Sequence, residues 1–116
     1  MAVDERATTP ASWGTPQHRT ITWFGGGADA SELPLRGRAL LEGIRDGIVP
    51  PAPMASVFGF RITEVGDGHV VFECDPEGSS YNPLGVVHGG LVCTLADTVT
   101  GCAVHSALQV SCVVVQ

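Results

Sequence analysis

Residues 81–97 read Tyr-Asn-Pro-Leu-Gly-Val-Val-His-Gly-Gly-Leu-Val-Cys-Thr-Leu-Ala-Asp. A turn-forming Asn82-Pro83 leads into His88-Gly89-Gly90, which opens an apolar helix. That helix carries one charge, Asp97, roughly two turns inside it. After Glu77 no other Asp, Glu, Lys or Arg occurs. A lone carboxylate among Leu, Val, Ala and Cys is costly to bury unless it is paired, neutralised or used. Two glycines at a helix start let a ligand approach backbone N–H groups that lack an intrahelical acceptor. A carboxylate near such a helix start points to acyl-transfer chemistry.

Working outward, the helix is expected over 89 to about 107 or 108. The run 86–108 is apolar enough to raise a membrane question. It holds His88, Asp97, His105 and three threonines, and no basic residue flanks it. A central helix of a soluble fold is expected instead, with no membrane partner. Upstream, Phe60 and Ile62 alternate with Arg61 and Thr63, Gly66-Asp67-Gly68 makes a turn, and Val70, Val71 and Phe72 resume. These predict a β-hairpin over about 57–74. Leu40, Leu41, Ile44 and Ile48 stand at helical spacing and predict a short amphipathic helix over 37–48, weakened by Gly43 and stopped near Gly47. Pro50-Pro51-Ala52-Pro53 predicts an extended connector. Residues 1–34 show no sustained periodicity and are expected as a mobile arm, with a short extended stretch at 20–24. Val113-Val114-Val115 reads as a strand by composition.

The chain of 116 residues suffices for one domain. Twelve Asp and Glu stand against six Arg and no Lys, for a formal charge of −6. The arginines are scattered and form no basic patch, so no nucleic acid partner is expected. Cys74, Cys93, Cys102 and Cys112 show no C-x-x-C spacing, which argues against zinc and against a redox pair. Reduced thiols and the absence of an apolar leader predict a cytoplasmic protein. The stretch from Gly85 to Gly90 is too short for a dinucleotide fingerprint or a P-loop, so no nucleotide cofactor is indicated. A helix apolar nearly all round needs more cover than two strands supply. The isolated chain is therefore expected to associate or aggregate, and its fold is expected to be incomplete at the C-terminus.

The pattern Asn82-x-x-Gly85-x-x-His88-Gly89-Gly90, with Asp97 nine residues after the histidine, resembles the hotdog-fold thioesterases of the phenylacetate-degradation (PaaI) type. The resemblance covers about 35–108. It implies an α+β fold in which a long central helix is wrapped by an antiparallel sheet of five or six strands. It also implies homodimers that often pair again into homotetramers. The residues after Leu108 depart from the family, which continues there with further strands. The expected organisation is thus an arm over 1–34 and a partial hotdog domain over 35–116.

The activity implied is hydrolysis of an acyl-CoA thioester, with no metal and no cofactor. Asp97 is the expected general base or nucleophile, and its burial would have to be offset by donors such as Thr94, Thr98 or a partner chain. The N–H of Gly89 is the expected oxyanion contact. Asn82 is expected to hold the attacking water or the substrate carbonyl, His88 to orient the loop or the thioester, and Gly90 to lie against substrate. His69 and His105 read as structural or solvated. Each assignment has a plainer counterpart: turn chemistry for Asn82, helix capping for His88, a tight loop-to-helix turn for Gly89, a hydrogen-bonded interface carboxylate for Asp97. The alternative function is a non-catalytic acyl-binding or degenerate hotdog protein.

Overall fold

The computed structural model describes residues 9–25 and 35–108. The expected strand at Val113-Val114-Val115 and Cys112 lie outside them. The elements are α1 (Gly37–Arg45), α2 (Pro53–Phe58), β1 (Phe60–Gly66), β2 (His69–Cys74) and α3 (Gly89–Ala107), with one-turn 3₁₀ segments at Ala11–Trp13 and Gly78–Ser80. Among the described residues the architecture is α+β, a two-stranded antiparallel sheet packed against helices.

α1 presents Leu40 and Leu41 to the interior. Gly43 does not merely weaken this helix. A Cβ there would stand 3.0 Å from side-chain carbons of both Leu35 and Val49, so the glycine lets the chain close around α1. The helix ends as Gly47 takes φ +77° and the Gly43 carbonyl accepts from Ile48 and Val49. Ile48 falls beyond the last turn and is exposed, contrary to its expected place on the apolar face.

The connector expectation needs a second correction. Pro53 does not prolong the extended segment but starts α2, where its missing N–H costs nothing. Gly59, at φ +71°, terminates α2 and its N–H donates to Ala55. The hairpin therefore begins at Phe60 rather than near residue 57. Its two-residue turn takes a positive φ at Gly68 alone. A bulge between Ile62 and Glu64 resets the alternation, so that Val65 pairs with Val70. Arg61 lies opposite Glu73 and contacts it at 2.8 Å, with Asp75 at 3.2 Å. Phe60 and Phe72 meet edge to face at 6.0 Å between ring centres.

Leu41, Ile62 and Val70 form the core, with Val99, Cys102 and Ala103 of α3 packed on it. α3 thus buries one side only. Val92, Cys93, Ala96, Asp97, Thr100 and Val104 form an exposed strip along the other, with Val92 at 59% and Val104 at 51% exposure. His105 is buried with no partner for Nε2 among the described residues, while the neighbouring Ser106 hydroxyl donates to the Ala103 carbonyl at 2.7 Å. Among the described residues no helix is long and apolar enough to cross a membrane.

Candidate functional site

The loop before α3 is built by Asn82. Its side-chain Oδ1 accepts from the N–H of Leu84 at 3.0 Å and of Val86 at 3.3 Å. Its backbone N–H donates to Val86 and its carbonyl accepts from Gly85, whose φ of +78° closes the turn. The acceptor oxygen of Asn82 is thereby spent within the loop. Only its amide nitrogen is left to face a ligand.

His88 is the N-cap of α3. Its Nδ1 accepts from the Gly90 N–H at 2.8 Å, and its own N–H donates to the Ser80 carbonyl at 2.8 Å. This hydrogen bond puts the ring proton on Nε2, leaving His88 a donor toward the cleft. Gly90 is a glycine for a steric reason, since a Cβ there would lie 2.9 Å from Nδ1. Gly89 differs. Its φ is not positive and a Cβ would meet nothing within 4 Å. Its N–H, at the first position of α3, donates to no described acceptor. A tight turn therefore does not explain Gly89, and its free donor points away from the helix at the positive end of the dipole.

A cleft of about 540 Å³ opens beside this helix start. His88, Gly90 and Thr94 line it from α3, Ser79, Ser80 and Tyr81 from the preceding loop, and Arg19 from the N-terminal segment. Arg19 donates to the Val57 carbonyl and stands 3.4 Å from Glu77. It thus ties the described part of the segment read as an arm to the end of α2 and to the loop. Arg19, Ser79 and Ser80 were not expected at the site, and no local pattern marks them: fifty-eight residues separate Arg19 from Glu77.

Asp97 does not reach this cleft. It stands eight residues beyond Gly89, about 12 Å further along the helix axis. Its side chain is exposed, contrary to the expected burial, and no described side chain pairs with it. Thr94 donates to the Gly90 carbonyl, and Thr98 is half-buried in the interior, so neither serves Asp97. The fold places His88, Gly89 and Gly90 at one helix start, where His88 and Gly90 line the cleft and Gly89 does not, with Asn82 shaping the loop before them. It leaves Asp97 apart, on the free apolar strip of α3. Among the described residues no cluster of three or more His, Cys, Asp or Glu is placed to hold a metal.

No known protein family, curated protein or solved structure matches the chain.

Proposed function

We propose that the chain is a hotdog-class acyl-CoA thioesterase whose active site is shared between two protomers. The carrying observation is the separation of Asp97 from a free Gly89 N–H. At about 12 Å along one helix, a base and an oxyanion donor cannot attend one carbonyl carbon, whereas two helices brought side by side can offer Asp97 of one and Gly89 of the other. The exposed strip of Val92, Ala96 and Val104 is suited to that contact, because it is apolar and flanks Asp97.

In this mechanism Asp97 takes a proton from water as the water oxygen bonds to the thioester carbon. The carbonyl oxygen becomes an oxyanion held by the Gly89 N–H at the positive end of the helix dipole. Collapse breaks the C–S bond, and the proton held by Asp97 passes to the departing thiolate. The second protomer would desolvate Asp97, supplying an environment the single chain lacks.

A second reading is favoured by one feature, the consumption of the Asn82 oxygen and His88 Nδ1 by the loop and the cap. With those atoms spent, the helix start could bind an acyl group without hydrolysing it. The deciding experiment mixes two inactive chains, Asp97→Asn and Gly89→Pro, and follows free CoA release. Shared sites predict that the mixture regains activity that neither chain has alone. Hydrolysis absent from wild type and mixture alike, with acyl-CoA still bound, would establish the non-catalytic reading.

A further inference from the structure

A second cavity, of about 610 Å³, lies on the opposite side of α2 from the cleft just described. α2 turns Ala55 and Ser56 toward it, and Val57 and Phe58 toward the cleft. None of Asn82, His88, Gly89, Gly90 or Asp97 lines it. Leu41 and Ile44 of α1, Ile62 and Phe72 of the hairpin and Cys102 of α3 form its apolar walls. It is a half-open pocket, and the elements that line it all belong to one chain.

Its size falls within the range of about 300–1,000 Å³ usual for small-molecule sites. Polar lining is sparse. Ser56 and Thr98 supply the hydroxyls, and Arg45 and Arg61 the charges. Both arginines are already neutralised. Arg45 is held by Asp46 at 2.9 and 3.2 Å, and Arg61 by Glu73 and Asp75 at 2.8 and 3.2 Å. Three carboxylates against two guanidiniums leave the rim, among the described residues, no free cation for an anionic head group. A ligand here must fill apolar volume, carry no charge, and present at most a small hydrogen-bonding group to Ser56 or Thr98.

We propose that this cavity binds a neutral, hydrocarbon-rich small molecule at a site separate from the helix-start cleft. The inference stands on cavity shape and charge and does not depend on thioester hydrolysis.

Cysteine labelling on the full chain tests it. Cys102 lines the cavity, and Cys74 of β2, half-buried and outside both the cavity lining and the exposed strip of α3, is the internal reference. Maleimide labelling of each is followed by peptide mass spectrometry, with 1-octanol or octanoate as the probe. Occupancy by 1-octanol slows Cys102 by the factor 1 + [ligand]/Kd, about tenfold at a ninefold excess over Kd, and leaves Cys74 unchanged. Octanoate at the same concentration has much the smaller effect. Ser56→Trp fills the cavity, slows Cys102 without ligand and removes the response to 1-octanol. Should that variant not fold, the two probes on wild type still decide. The proposal is overturned if 1-octanol up to its solubility limit leaves Cys102 unaffected, if both cysteines slow equally, or if octanoate protects as well as 1-octanol. It is also overturned if Cys102 labels faster on dilution without ligand, because a second copy of the chain then covers the cavity.

Discussion

The imidazole of His88 closes on the backbone of Gly90: Nδ1 accepts the Gly90 N–H at 2.8 Å, and a methyl group on Gly90 would stand 2.9 Å from the same atom. One contact thus explains both residues, the histidine as a cap and the glycine as the space in which the cap closes. In a helix Gly→Ala ordinarily stabilises by up to about 1 kcal/mol. At this position the sign reverses. Gly90→Ala should lose the cap and lower stability by about 1 kcal/mol, as should His88→Ala. Urea midpoints measure both, and a stabilised Gly90→Ala would refute the capping geometry.

Gly89 offers a cleaner experiment than an alanine. It is the first residue of α3, where proline is favoured, and His88 before it sits at φ −64° and ψ 134°, a conformation that proline accepts. Gly89→Pro should therefore keep the helix and remove only the free N–H. If that N–H holds an oxyanion, acyl-CoA turnover falls by about a hundredfold or more with the fold intact. Unchanged turnover in a folded variant would remove Gly89 from the mechanism.

Asp97 is exposed and not paired by any described side chain, so exchanging it should cost the single chain almost nothing. Asp97→Asn and Asp97→Ala should stay within about 0.5 kcal/mol of wild type. In the proposed enzyme both should cut hydrolysis by a factor on the order of a hundred, as expected for loss of a general base. Binding of a non-hydrolysable acyl-CoA should survive, since a base acts mainly in the transition state. Near-wild-type turnover of Asp97→Asn would make the carboxylate structural.

Burial raises the Cys102 thiol above its ordinary value of 9.0. The folded chain thus holds this proton more tightly than the unfolded chain does. The associated stability is present below the unfolded value and is lost as the pH climbs toward the folded one. Stability should fall as the pH rises through and above the ordinary thiol range of about 8.5, and Cys102→Ala should flatten that slope. Urea titrations below and above that range check this; an equal slope in the variant would place the pH dependence elsewhere.

His105 keeps Nε2 buried without a partner among the described residues. Replacing an unpaired buried nitrogen with an apolar group of similar shape removes a desolvation penalty of about 1–3 kcal/mol. His105→Phe should raise the melting temperature. A clear loss would mean that the imidazole contributes packing that phenylalanine cannot reproduce.

Local signals carried the elements. The apolar run from Leu91, the glycines before it and the strand-like alternation around Phe60 and Ile62 marked α3 and the hairpin, because periodicity and turn chemistry act within a few residues. Pro53 was legible in principle, since proline favours a first helical position as well as an extended connector; its neighbours Pro50 and Pro51 masked that choice. Tertiary structure alone decided the rest. Gly43 makes room for Leu35 and Val49, Arg19 reaches Glu77 and Val57, and Asp97 faces outward while Thr98 faces in. The residues of the helix start were named by their spacing, but which of their atoms remain free was not. Spacing along a chain determines which side chains share a face. Which face is covered, and which donor or acceptor is already spent, depends on segments distant in sequence that only folding brings into contact.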